Sequence, residues 1–125
     1  MGDLSKNFSK SEFECKCGCG MGNIDPELIN VLQDLRDWWR APITINSGCR
    51  CYEYNEKVQL RSNPDYIPGS SRSQHMLGTA ADIVVSGISV GEVRRYLNHK
   101  YPDKYGIGAY NSFTHIDVRS KKARW

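Results

Sequence analysis

Residues 106–118 read GIGAYNSFTHIDV, and this stretch decides the fold. GIGAY (106–110) and FTHIDV (113–118) are short, apolar and suited to strands, and Asn111-Ser112 between them predicts a hairpin turn. Alternation along a strand places residues 113, 115 and 117 on one face and 114, 116 and 118 on the other. Ile116 and Val118 then belong to the core, and His115 and Asp117 point together to the opposite side. AADIVV (80–85) reads as a buried strand in which Asp82 lies opposite Ala81, Ile83 and Val85. Its face neighbour Ala80 is small and leaves room beside it. Polar groups on the face of an apolar strand cost stability unless they are paired or bind a metal.

Working outward, Asp25-Pro26-Glu27 is a helix start, with a capping Asp and Pro at the first helical position. Leu28, Val31, Leu32, Leu35 and Trp38 or Trp39 follow at helical spacing, and Pro42 ends the run. ITINS (43–47) predicts a strand. Residues 52–60 are weakly helical, and 61–73 form a loop rich in Ser, Pro and Gly, a candidate rim for a binding site. Ser89-x-x-Glu92 is a capping box that opens a helix through about His99. Ser9 and Glu12 suggest a short helix before a loop at Gly18, Gly20 and Gly22. The order β, long loop, β, α, β, β predicts an α+β fold: a small antiparallel sheet with helices packed on one side and a metal site on the other face. Residues 1–125 are expected to form one domain, with 1–24 as an N-terminal segment carrying a Cys/Gly loop.

The net charge of +3 lacks the dense basic stripe of a nucleic-acid binder. Arg119, Lys121, Lys122 and Arg124 read as a solvated tail, with contact to an anionic polymer as the alternative. Met1 to Phe8 is polar, without the apolar core of a signal peptide, and no apolar run reaches the roughly 18 residues of a membrane span. The expectation is a protein made in the cytoplasm. Cys15, Cys17 and Cys19 lie in CKCGCG, and Cys49 and Cys51 in SGCRC. An odd count without a signal argues against a full disulfide framework. The spacing is C-x-C, unlike the C-x-x-C common in zinc knuckles. Small buried residues or free thiols are the expectation, with a structural metal or a bridge between the clusters as alternatives.

Three histidines occur. His99 sits near a helix end, where a cation suits the dipole, and reads as structural. His75, in SQHMLGTAAD (73–82), joins His115 and Asp82 as two imidazoles and a carboxylate, a standard set for catalytic zinc that leaves a fourth position open. Zinc lowers the pKa of water towards ~7 and polarises the carbonyl under attack. Asp117 is placed to take a proton, or else to orient His115.

SQHMLGTAAD, GIGAY and FTHIDV together resemble the S-x-H-x-x-G-x-A-x-D, G-x-G-x-Y and F-x-H-x-D motifs of the D-alanyl-D-alanine carboxypeptidase family of zinc peptidases. SGCRC, followed by Asn55, is similar to the family's S-G-x-R segment, and Arg124-Trp125 to the ending of some of its murein endopeptidases. The resemblance runs from about Phe8 to the end. It implies a hedgehog/D-Ala-D-Ala peptidase-like fold and zinc (Zn) held by His75, Asp82 and His115. It also implies that Arg50 lies near the metal to bind a substrate carboxylate or stabilise the oxyanion. Ser73 and Tyr110 are candidate contacts to the substrate, or to the groups that hold the metal. Several relatives carry a catalytic Glu three residues before the last histidine ligand. Here that position is Ser112, and Asp117 is the expected base instead. The expected activity is hydrolysis of D-amino-acid-containing peptide bonds of bacterial peptidoglycan, as a D,D-carboxypeptidase or cross-link endopeptidase, by a monomer in a phage endolysin or tail-associated lysin. The alternative is a non-catalytic, metal-containing module that binds cell-wall peptides.

Overall fold

In the computed structural model, which describes residues 2–125, the central hairpin forms where the sequence expects it. The elements in chain order are a 3-10 turn at Lys10–Glu12, α1 (Pro26–Trp39), β1 (Ile43–Ser47), α2 (Tyr52–Ser62), a second 3-10 turn at Gln74–Leu77, β2 (Ala80–Val85), α3 (Val90–Lys100), β3 (Gly106–Ala109), β4 (Thr114–Asp117) and β5 (Ala123–Arg124). The strands form one sheet in the order β1-β2-β4-β3-β5, antiparallel except for the short β3–β5 pair.

The register sorts core from site. Ala81 pairs with Ile116, which pairs with Ile107. This apolar row packs against Leu28, Leu32 and Leu35 of α1 and Val93 and Leu97 of α3. One residue along, Ser47, Asp82, His115 and Gly108 form a row across four strands on the opposite face. A slip of one residue would turn the histidine into the core, so the apolar row fixes the site's orientation. Asp25 caps α1 by accepting the Glu27 N–H at 2.8 Å, and Ser89 caps α3 by accepting that of Glu92 at 3.2 Å. Phe8 and Phe13 are buried in the same core, so the N-terminal segment is part of the packed body.

Three features differ from the sequence reading. The hairpin loop is four residues, 110–113, because pairing stops at Ala109 and Thr114. The side chains of Tyr110 and Phe113 stack there with ring centroids 4.4 Å apart. The helix α2 buries only Asn55 and borders the open face of the sheet, whereas α1 and α3 cover the other face. The C-terminal basic cluster is not a solvated tail throughout. Arg119 is bonded to Asp117, and Arg124 donates to Asn98 Oδ1 and to the carbonyls of Tyr101, Lys104 and Tyr105 as part of the unexpected β5. Lys121 and Lys122 alone are exposed. The cysteines also divide: Cys15 and Cys49 are buried, Cys17 and Cys19 are exposed, and all five are unbridged. No helix among the described residues is long and apolar enough to cross a membrane.

Candidate active site

The site row brings together the three residues expected to hold a metal. Asp82 and His115 are direct cross-strand partners on β2 and β4. His75 reaches them from the second 3-10 turn, which Ser73 starts by accepting the His75 N–H. His75 Nε2 lies 3.2 Å from Asp82 Oδ2, and His115 Nδ1 lies 3.0 Å from Asp82 Oδ1. His75 Nδ1 meets the Gly48 carbonyl at 2.6 Å, which fixes the ring with Nε2 facing Asp82. All three residues are buried.

Asp117 is more deeply placed than a proton carrier at the cleft would be. Its side chain has no exposure, and Oδ2 lies 2.7 Å from His115 Nε2, on the far side of the ring from Asp82. Arg119 donates to both carboxylate oxygens at 2.7 Å and adds its backbone N–H at 3.1 Å. Burial would raise the pKa of both Asp82 and Asp117. Hydrogen bonds from His115 and His75 to Asp82, and from His115 and Arg119 to Asp117, outweigh it and hold both below the usual carboxylate range. Both acids are thus anionic, and His115 lies between them. Gly106 and Ala80 flank Asp117 in the register. A Cβ on Gly106 would strike the Asp117 carboxylate and come within 2.7 Å of Arg119 Nε. A Cβ on Gly108 would stand 2.6 Å from the Trp125 indole, which packs 5.0 Å from the His115 ring. The two glycines of GIGAY are therefore space for the groups that brace His115. Gly106→Ala is expected to destabilise the fold by about 1–3 kcal/mol through overpacking. It should also weaken zinc binding by pushing Asp117 off His115. Thermal denaturation and zinc titration on the same variant check both effects.

Arg50, after the end of β1, has Nη2 3.5 Å from Asp82 Oδ2. Ser47 Oγ accepts from Nε at 3.2 Å and Asn55 Oδ1 from Nη1 at 3.3 Å. Burial lowers its pKa and Asp82 opposes that, but an arginine stays charged throughout. Asn55 in turn donates to Ser71, which links α2 to the long loop. Glu56 holds that loop by accepting from Tyr66 Oη at 2.9 Å and the Gly69 N–H at 3.0 Å.

These elements enclose a cleft of about 430 Å³ over the His75–Asp82–His115 row. Ser73 and Tyr110, expected as substrate contacts, both line it. So do Gln59 and Ser62 of α2, Arg72 of the loop, Arg119 and Trp125, which sequence reasoning did not assign to the site. Arg119 was legible in principle, since the alternation that groups 113, 115 and 117 continues to 119. The α2 and loop residues carry no motif. Asp82 is the sole carboxylate among the described lining residues, against three arginines. Ser112, at the position of the relatives' Glu, is exposed in the hairpin loop.

The donor set fits zinc. One ligand atom from each of His75, Asp82 and His115 lies within 4.8 Å of the others, and the second nitrogen of each ring is already occupied by a carbonyl or a carboxylate. In the metal-free chain, burial alone would lower the His115 pKa, but Asp117 and Asp82 outweigh it and raise it above the free imidazole value of ~6.5. A raised pKa stabilises the metal-free fold below ~6.5 and loses that contribution as pH rises through the folded value. Zinc needs the unprotonated nitrogen, so its affinity rises with pH over the same range. The difference in Tm between zinc-loaded and metal-free protein should therefore widen between about pH 6 and about pH 8. Paired thermal melts across that range check it.

A buried His/Asp/His set on the floor of a cleft lined by Arg50, Arg72 and Arg119 fits a metal-dependent hydrolase. A family model described as Peptidase M15 matches residues 6–117, and the chain belongs to that family: it is a zinc metallopeptidase. No curated protein sequence matches it. Among solved structures, the Serratia marcescens L-Ala D-Glu endopeptidase ChiX is similar in fold, with a TM-score of 0.54 and 17% identity over 77% of this chain and 80% of that one. The vancomycin resistance D,D-pentapeptidase VanY in complex with Zn(II) aligns at 28% identity over 71% of this chain and 64% of that one, with a TM-score of 0.41.

Proposed function

We propose that this peptidase hydrolyses D-amino-acid-containing peptide bonds of bacterial peptidoglycan, with zinc held by His75, Asp82 and His115. The observation that carries this reading is the cleft itself: among its described lining residues Asp82 is the single carboxylate, and the arginines are Arg50 beside it, Arg72 on the loop and Arg119, which is paired to Asp117. Such a cleft suits a peptide bearing free carboxylates, as wall stem peptides do. Membership of the Peptidase M15 family supports the reaction class, and the similar fold of a protein named as an L-Ala D-Glu endopeptidase is in keeping with a peptide substrate.

Bound zinc supplies a Lewis acid and lowers the pKa of water towards ~7. The chain's own residues do the rest. Arg50, rigidly held by Ser47 and Asn55, presents its guanidinium beside Asp82. It stabilises negative charge developing on the carbonyl oxygen or anchors a substrate carboxylate. Asp117 is a positioning residue: by accepting from His115 Nε2 it would leave Nδ1, on the Asp82 side of the ring, as the nitrogen to face a bound metal. This replaces the expectation that Asp117 is the base, because both its oxygens are committed to His115 and Arg119. Asp117→Asn should then weaken zinc binding about 10–100-fold. A base would instead lose turnover with zinc affinity unchanged. Competition titration with a zinc chelator, beside kcat at saturating zinc, separates the two.

Synthetic stem peptides followed by mass spectrometry test the function. Cleavage at one bond flanked by a D-residue is expected, abolished by a chelator and restored by zinc. The all-L isomer should be resistant. Amidating the C-terminal D-Ala distinguishes a D,D-carboxypeptidase, which should lose activity, from an endopeptidase, which should keep it. Equal cleavage of the all-L isomer, or no cleavage of any stem or cross-linked peptide, would contradict the reading.

A further inference from the structure

We infer that the thiols of Cys15, Cys17, Cys19 and Cys51 form a second, structural zinc site, separate from the cleft. The sulfur of Cys15 lies 3.4 Å from that of Cys17 and 3.8 Å from that of Cys51, and Cys17 lies 3.6 Å from Cys51. One sulfur from each of the four cysteines fits within a 4.8 Å group. Four thiolates at the ~2.3 Å zinc–sulfur distance of a tetrahedral site stand about 3.8 Å apart, so the three edges among Cys15, Cys17 and Cys51 are already close to the required length, with Cys19 within 4.8 Å.

The local chain is built to bring these sulfurs together. Alternate residues of an extended segment share a face but lie about 7 Å apart. Gly18 and Gly20 break that spacing with φ of 87° and 88°, a backbone region costly for any side chain. Nothing stands within 4 Å of a Cβ built on either glycine, so conformation and not crowding requires them. The Cys15 N–H bonds the Met21 carbonyl at 2.8 Å and closes the loop. Cys51 supplies the fourth arm from the N-cap of α2. Backbone N–H groups already point at the sulfurs, Cys51 N to Cys15 Sγ and Tyr54 N to Cys51 Sγ, both at 3.4 Å. Such donors favour the thiolate that binds a metal.

The rest of the segment explains why a metal is wanted. Residues 16–20 are exposed, so no apolar burial holds the loop in this shape. Cys49 stands apart, its sulfur 3.7 Å from the Asn23 carbonyl, which accounts for the odd count. Cys51 follows Arg50, so the second zinc would fasten the N-terminal segment to the residue beside the arginine at the cleft. A Cys₄ site is closed, with no position for substrate, and its contribution is to folding and positioning.

The test uses the full chain purified with reductant and analysed for zinc by mass spectrometry. Wild type should hold about two zinc ions. Cys17→Ser/Cys19→Ser should hold about one, and His115→Ala about one, with the two losses independent. Circular dichroism checks folding of the serine variant, whose changed residues are both exposed. A second readout needs no variant: cobalt-loaded wild type should show an intense near-ultraviolet thiolate-to-cobalt band. That band should persist in His115→Ala. A wild type with one zinc that is lost in His115→Ala, or cobalt-loaded protein without the thiolate band, would overturn the inference. So would a mass showing disulfides among these cysteines in protein kept under reductant.

Discussion

His115→Ala should leave the cleft without zinc and lower hydrolysis of a stem peptide by ~10³-fold or more, the several kcal/mol that a Lewis acid contributes to the transition state. The substitution is informative because it removes the ring and strands neither acid. Asp117 keeps Arg119 on both oxygens, and Asp82 keeps Arg50 and His75. No buried charge is left unpaired, so a large folding defect is not expected. The loss should therefore appear in zinc content and kcat, with circular dichroism near that of wild type. Removing zinc from the wild type with a chelator should give the same loss, reversible on adding zinc. An active variant still holding one zinc per chain at the cleft would remove His115 from the ligand set.

Arg50→Lys should lower kcat by about 10²–10³-fold while leaving zinc in the cleft. Lysine keeps the positive charge but not the planar fork. The fork is what lets one side chain donate to Ser47 and Asn55 while reaching Asp82. An ammonium cannot hold all three directions, so the cation loses its fixed position. If Arg50 acts on the carbonyl oxygen, kcat falls and KM moves little. If it anchors a substrate carboxylate, KM rises as well, and a substrate lacking that carboxylate is insensitive to the change. Steady-state kinetics on both substrates, with zinc measured on each preparation, decide between the two. Unchanged kinetics would make Arg50 a structural partner of Asp82 alone.

The strands and the row that carries Asp82 and His115 were legible because period-two alternation is local. Ile116 must face the core, so His115 and Asp117 must face away, and Asp82 follows by the same rule on β2. Both long capped helices were readable from Asp25-Pro26 and Ser89. What remained hidden depends on contacts distant in sequence. The strand β5 has two residues and exists only because it pairs with β3. The helix α2 has too weak an apolar stripe to announce which face of the sheet it borders. Arg119 is the exception: its bonds to Asp117 are local, two residues apart, but the basic residues around it made it look like part of a tail. Asp117 shows a second limit: alternation placed it on the right face but gave no depth, and its burial against His115 and Arg119 is what supports the positioning role proposed for it. The cysteines were ambiguous for the same reason, since the sequence could not show that Cys51 meets Cys15 and Cys17.

Zinc anomalous diffraction from crystals of the full chain would locate the zinc proposed at His75, Asp82 and His115. An anomalous peak bounded by His75 Nε2, the Asp82 carboxylate and His115 Nδ1 is expected. Zinc confined to the cysteine cluster, with the three cleft residues paired to one another and no peak among them after growth in excess zinc, would contradict it.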